Sequence, residues 1–104
     1  MRLKMPNANY VAGRAFEYKR KKAWEEKGYI VVRTAGSHGA WDLIAVKPAR
    51  PVELIQCKKV VSEAAGQLLL HKHIKEPPLV PSEYFHQVIE VWVSSTRKLL
   101  HVTV

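Results

Sequence analysis

Three polar residues of this 104-residue chain, Asp42, Gln56 and Lys58, are candidates for a chemical role. Asp42 begins one short apolar strand, and Gln56 and Lys58 lie two residues apart at the end of the next. Because side chains alternate between the two faces of a strand, Gln56 and Lys58 share one face. A buried Gln or Lys is costly unless it has a polar partner. We therefore predict that Asp42 is that partner and that the three side chains converge.

The oxygen atoms of this region suit a hard divalent cation. Mg²⁺ prefers oxygen ligands, and one or two carboxylates with a backbone carbonyl are enough to hold it. The predicted ligands of Mg²⁺ (or Mn²⁺) are the Asp42 carboxylate, the Gln56 side-chain oxygen, the Cys57 backbone carbonyl and the Glu17 carboxylate. Such a cation neutralises the charge that develops when a phosphodiester is cleaved. Lys58 is then a candidate catalytic residue, because an amine beside the attacking water orients it and stabilises charge.

Two charged residues outside these strands also bear on the site. Glu17 lies within the apolar arc of the first predicted helix, and it has two interpretations. It could pair along the helix with Arg20 or Lys21, three and four residues further on, or it could point beyond the helix toward the site. Arg33 ends a β-branched strand and could hold a phosphate.

Hydrophobic periodicity and turn residues predict seven elements in the order α-β-β-β-α-β-β. The helices are predicted over 7–27, ending at Gly28, and over 62–75, beginning at the N-cap Ser62. The strands are predicted over 29–33, 41–46, 52–58, 86–93 and 98–104. This pattern predicts an α/β fold with one central sheet, and the length suits a single domain over residues 1–104.

The charge balance indicates a polyanionic partner. The formal net charge is +8 and the isoelectric point is about 9.8, which favours nucleic acid over a merely solvated basic surface. The single cysteine excludes an internal disulfide and favours a reducing cytosol. No secretory signal or membrane-spanning run is apparent. We expect a cytoplasmic protein, of cellular or viral origin, that uses neither a membrane nor a small-molecule cofactor.

The order and spacing of these residues resemble those of the archaeal-type Holliday junction resolvases, within the PD-(D/E)xK nuclease superfamily. The resemblance rests on four segments: Ala15-Phe16-Glu17, Gly28–Arg33 with the following Ala35-Gly36-Ser37, Asp42-Leu43-Ile44-Ala45, and Leu54-Ile55-Gln56-Cys57-Lys58. It implies a restriction-endonuclease-like core, in which a mixed five-stranded sheet is flanked by helices. It also implies a homodimeric, metal-dependent endonuclease that resolves four-way junctions by paired nicks in opposite strands.

The resemblance also implies residue roles. Glu17 and Asp42 belong to the metal site, Lys58 is catalytic, and the loop residue Ser37 lies near the scissile phosphate. The expected nucleic-acid contacts are Arg14, Lys21, Arg33, Ser37, His38 and Lys59. One departure is Gln56, because the family usually has Glu there, and we interpret it as a working but uncharged ligand.

Other functions stay open. The chain could be another nicking or repair nuclease of the superfamily, or a catalytically silent module that binds DNA junctions. Trp92 is interpreted as a core or dimer contact rather than a base-stacking platform. The run Leu68-Leu69-Leu70 exceeds one amphipathic stripe, so the second helix either meets a partner subunit or is wholly buried.

Overall fold

The computed structural model describes residues 8–34, 41–75 and 83–103, with side chains from residue 13 onward. It contains the seven predicted elements in the predicted order. They are α1 (Ala8–Glu26), β1 (Ile30–Arg33), β2 (Leu43–Val46), β3 (Val52–Val60), α2 (Glu63–Lys75), β4 (Phe85–Val93) and β5 (Lys98–Thr103). Neither described helix is long and apolar enough to cross a membrane.

The strands form one mixed sheet in the order β1-β2-β3-β4-β5. Neighbouring strands are antiparallel except β3 and β4, which run parallel over nine residue pairs from Val52↔Phe85 to Val60↔Val93. Parallel neighbours need a crossover connection, and α2 supplies it. The architecture confirms the predicted mixed five-stranded α/β fold and is consistent with a restriction-endonuclease-like core.

The two helices cover opposite faces of this sheet. Trp24 of α1 packs on the buried side chains of Val31, Leu43, Ile55 and Val88. Leu70 of α2 packs on Ile89 and Val91 from the other side. Alternation along β3 and β4 therefore places odd-numbered β3 residues and even-numbered β4 residues toward α1.

A charged residue is buried at the centre of the α1 face. The Glu90 side chain on β4 is fully buried, and Arg20 of α1 donates to both of its oxygens at 2.8 and 2.9 Å. The Trp24 indole N–H also donates to it at 3.2 Å, and His101 Nδ1 lies 3.1 Å from Oε2. This network fixes α1 against β4 and β5 because a buried carboxylate is stable only when it is paired and hydrogen-bonded.

The ends of both helices follow the predicted capping residues. The Ser62 hydroxyl accepts a hydrogen bond from Ala65 N–H at 3.2 Å, as an N-cap does. Gly28 has a φ of +94°, which only glycine adopts without strain, and it ends α1.

Two glycine substitutions are expected to change stability in opposite directions. Gly28→Ala forces a β-carbon into the left-handed region and lowers the free energy of unfolding by about 1–2 kcal/mol. Gly13→Ala lies inside α1, where a new β-carbon would meet no described heavy atom within 4 Å. It raises the free energy of unfolding by about 0.5–1 kcal/mol. Urea unfolding of the two variants beside the parent protein measures both values, and equal effects of the same sign would contradict this account.

Candidate functional site

The candidate site lies where β2 and β3 separate. β3 pairs with β4 along its whole length but with β2 only over residues 53–55. Asp42 N–H donates to the Ile55 carbonyl at 2.9 Å. Beyond residue 55, the next hydrogen bond to β3 is made by the Asp42 side chain instead of by the β2 backbone. Asp42 Oδ2 accepts the Cys57 N–H at 2.8 Å. The carboxylate is therefore held at the edge of β3 by a backbone group.

The Cys57 carbonyl lies on the same strand edge as its N–H, because both groups of a strand residue point toward the same neighbour. Asp42 and the Cys57 carbonyl oxygen therefore stand on one side of β3, as the predicted ligand set requires. These are hard oxygen donors, and Asp42 Oδ1 makes no hydrogen bond to the described residues. The donor set at this edge suits Mg²⁺ or Mn²⁺.

Glu17 points away from its own helix. Its Oε1 accepts a hydrogen bond from Arg33 Nη1 of β1 at 3.0 Å, and both side chains are mostly buried. The alternative pairing along the helix is wrong, because Arg20 binds Glu90 and Lys21 binds Glu25. Both cations have a carboxylate partner elsewhere, so Glu17 is directed at β1 instead.

The pKa of the Cys57 thiol is sensitive to the negative charges around it. Burial raises its pKa well above the ordinary value, and the carboxylates of Glu90, Asp42 and Glu17 raise it further because each disfavours a thiolate. The effect of Asp42 agrees with its hydrogen bond from the Cys57 N–H, whereas the described hydrogen bond of Glu17 comes from Arg33.

Gln56 and Lys58 lie on the other face of β3. Their register partners are Ile89 and Val91, which pack against α2, and both polar side chains are half-buried. Among the described residues, no hydrogen bond or ion pair joins them to Asp42 or Glu17. Nor do three described His, Cys, Asp or Glu side chains form a group able to hold a metal ion. The convergence of all four residues therefore stays a prediction.

The remaining predicted contacts have different environments. Ser37 and His38 lie outside the described residues. Arg33 is bonded to Glu17, and its guanidinium stands 4.7 Å from the ring centroid of Tyr18, which lowers the pKa of that phenol. Lys21 forms its ion pair with Glu25 at the surface.

Arg14 and Lys59 are exposed and carry no ion pair within the described parts of the chain. Lys59 lies beside two cations that the sequence analysis did not select, Lys19 and Arg97. Trp92 stands next to them and is only partly buried, so it is not a simple core residue. No sequence signal marked Lys19 and Arg97 as neighbours of Lys59, because α1, β3 and the turn before β5 are far apart in the chain.

A sequence signal did exist for the Arg20–Glu90 pair. Arg20 lies within the apolar arc of α1, and Glu90 interrupts the apolar strand His86–Val93. When two residues of opposite charge each lie on a buried face, they are expected to pair, since neither is stable there alone.

Comparison with protein families gives one match. A family model described as archaeal Holliday junction resolvase matches residues 8–74, which is more than half of the chain. The matched range contains Glu17, Arg33, Asp42, Gln56 and Lys58. No curated protein matches the sequence.

Proposed function

The chain belongs to the archaeal Holliday junction resolvase family, and on that premise we propose that it resolves four-way DNA junctions by a metal-dependent pair of nicks. The observation that carries the proposal is the Asp42 carboxylate held at 2.8 Å by the Cys57 N–H. It places an oxygen donor at a stretch of β3 that β2 does not pair within the described residues, in a chain of this family. The hydrogen bond by itself does not require a negative charge, because a neutral amide oxygen could accept it.

Asp42, the Cys57 carbonyl, Gln56 and Glu17 would hold the cation. A bound Mg²⁺ or Mn²⁺ supplies charge neutralisation for the phosphodiester in the transition state. Lys58 orients the attacking water and stabilises the developing charge. Arg33 contacts a phosphate, and its ion pair with Glu17 fixes the direction of both side chains.

DNA binding would rest on the phosphate backbone. The net charge of +8 and the exposed cations Arg14 and Lys59 favour contacts that do not depend on sequence. Ser37 and His38 complete the proposed DNA contacts. Selectivity then comes from the shape of the junction and from two sites that act together.

We propose a homodimer as the assembly that supplies two sites. The β1–β2 part of the α2 face is not covered by either helix, and Ile30, Val32 and Val46 are exposed there. Leu68 of α2 is also 72 % exposed, which rules out a wholly buried helix. Contiguous exposed apolar side chains are typical of interfaces. Sedimentation equilibrium of the protein and of Val32→Lys tests this, because a monomeric parent protein would exclude the dimer.

The decisive experiment is strand-by-strand mapping of nicks in an immobile four-way junction. Each strand is labelled in turn, and a linear duplex of the same sequence is the control. We expect Mg²⁺-dependent nicks at symmetric positions in two opposite strands of the junction. Equal cutting of both substrates would favour a different nicking or repair nuclease of the superfamily. Junction binding without cutting at any Mg²⁺ or Mn²⁺ concentration would favour a silent binding module.

Gln56→Glu is expected to strengthen metal binding. The substitution adds a negative charge to the proposed ligand set, and affinity for hard cations rises with ligand charge. We expect the Mg²⁺ concentration for half-maximal cutting to fall by roughly tenfold. A Mg²⁺ titration of cleavage by the parent protein and the variant measures it, with Gln67→Glu on the exposed surface of α2 as the control. An unchanged requirement would remove Gln56 from the ligand set.

A further inference from the structure

A groove lies on the α1 face of the sheet, beside the candidate site. Its volume is about 460 Å³, within the range of small-ligand pockets. Its lining includes the apolar residues Phe16, Trp92 and Leu99 and, besides the Arg20 that binds Glu90, the cations Lys19, Lys59 and Arg97. These residues, apart from Arg20, are called the α1 groove below.

The apolar part of the α1 groove is a continuous surface. Lys59, Trp92 and Leu99 are register partners, so they form a row across β3, β4 and β5. Phe16 of α1 packs on the central residue of the row, with its ring centroid 6.4 Å from that of Trp92 and the ring planes at 39°. Phe16 is buried, whereas Trp92 and Leu99 keep accessible surface that faces the groove.

The charged side chains of the α1 groove are all positive. Lys19, Lys59 and Arg97 are all exposed, and none of the described side chains that line the groove is acidic. Arg97 has a φ of +54° in the turn before β5, a conformation that costs a non-glycine residue about 1–2 kcal/mol. The turn thus carries a cation at a position where glycine would be free of strain.

The α1 groove adjoins the part of the proposed cleavage site that lies on the α1 face, next to Cys57 and Glu17. Lys59 lies two residues beyond Cys57 on the same face of β3, a distance of roughly 7 Å along a strand. Phe16 directly precedes Glu17 on α1. A DNA strand whose phosphate lies at Asp42 therefore passes close to the groove.

We propose that the α1 groove binds one unpaired nucleotide of the DNA substrate, with its base on Trp92 and Leu99 and its phosphate between Lys19, Lys59 and Arg97. This inference rests on the proposed function. Stacking on aromatic side chains needs a free base face, which a paired and stacked duplex does not offer. Contacts to the phosphates of a duplex need cations but no apolar surface such as that of Trp92 and Leu99. A groove that combines apolar side chains with cations therefore suits a nucleotide that is unpaired at the branch point of a junction.

The experiment measures binding without divalent cations, so that cleavage does not interfere. Four-way junctions carry 2-aminopurine at single nucleotides next to the branch point. We expect one position to change its fluorescence on binding, and Trp92→Leu to abolish that change while Trp92→Phe retains it. Trp92→Leu is expected to weaken junction binding by about 5- to 100-fold and to leave linear-duplex binding unchanged. Thermal unfolding of both variants checks that they are folded.

An abasic nucleotide at the responding position completes a thermodynamic cycle. It is expected to weaken binding by the parent protein by the same factor and to leave binding by Trp92→Leu unchanged. Arg14→Ala, an exposed cation outside the α1 groove, serves as the phosphate control, since it is expected to weaken binding to junction and duplex alike and to lower the salt slope by about 1.

Three results would overturn the inference. They are equal losses of junction and duplex binding in Trp92→Leu, an abasic site without effect, and a free deoxynucleoside monophosphate that displaces the junction at micromolar concentration. The last would make a free nucleotide the ligand, whereas we expect millimolar competition at best. None of these results changes the mapped nicks, so a failure of this inference is distinguishable from a failure of the proposed nuclease activity.

Discussion

Asp42→Asn is expected to reduce junction cleavage by about 10³-fold at saturating DNA and Mg²⁺. A cation ligand at the reacting phosphate is worth several kcal/mol in the transition state, and each 1.36 kcal/mol is a factor of ten in rate. The amide keeps an oxygen that accepts the Cys57 N–H, as Oδ2 does at 2.8 Å. The variant therefore removes the charge and preserves the fold. Single-turnover cleavage of a labelled junction measures the rate.

Three comparisons separate this loss from other causes. Glu26→Gln changes the same charge on the exposed end of α1 and is expected to cut at the parent rate. Asp42→Ala leaves the Cys57 N–H without its acceptor, so it is expected to be less stable than Asp42→Asn by about 1–3 kcal/mol. Junction binding without metal is expected to persist in Asp42→Asn, because binding depends on cations elsewhere. Cutting by Asp42→Asn within tenfold of the parent rate would exclude Asp42 from the reaction.

Glu90→Gln is expected to lower the free energy of unfolding by about 3 kcal/mol. The substitution is nearly isosteric, so it opens no cavity. It removes the negative charge that Arg20 binds through two hydrogen bonds at 2.8 and 2.9 Å, and Arg20 stays largely buried without a counter-ion. A domain of this size has a total stability of about 5–15 kcal/mol, so the variant stays measurable by urea unfolding.

The double variant Arg20→Met/Glu90→Met is the matched control. Replacing both members of a buried ion pair with apolar residues of similar size is often neutral or stabilising. We therefore expect it to recover most of the loss. A double variant as unstable as Glu90→Gln would show that the other partners of Glu90, Trp24 and His101, dominate the network.

The same pair sets a dependence of stability on pH. Burial alone raises the pKa of Glu90, but the hydrogen bonds and charge of Arg20, helped by Trp24 and His101, lower it below the ordinary value. A carboxyl group with a lowered pKa stabilises the fold above its unfolded-state pKa, which is about 4.3 for Glu. That stability is lost as the pH falls through the folded-state pKa. The stability difference between the parent protein and Glu90→Gln should therefore shrink in acid, and a constant difference down to pH 2 would contradict it.

Glu90 also bears on the proposed site through α1. Arg20 lies one helical turn after Glu17, and its two hydrogen bonds to Glu90 fix the rotation of the helix about its axis. That rotation decides whether Glu17 meets Arg33 or solvent. Any loss of cleavage in Glu90→Gln is therefore expected to accompany a weaker Glu17–Arg33 pair rather than a direct chemical role.

The order of the elements and the position of Asp42 at the start of a strand were predictable from local sequence patterns. Strand and helix patterns are local, because alternation, helical periodicity and capping residues such as Ser62 and Gly28 act over a few positions. The placement of a carboxylate at the start of one strand and a lysine near the end of the next was readable for the same reason. The family resemblance rested on these local segments, and the family match agrees with it.

The pairing of charged side chains, in contrast, became apparent only from the packed fold. Within α1, the local rule paired Glu17 with Arg20 or Lys21, yet Glu17 binds Arg33 of β1 and Arg20 binds Glu90 of β4. The α1 groove likewise joins α1 to the row Lys59–Trp92–Leu99 across three strands. Contacts of this kind depend on the strand register and on the rotation of a helix over the sheet. Both are set by the packing of the whole core, so no local pattern could specify them.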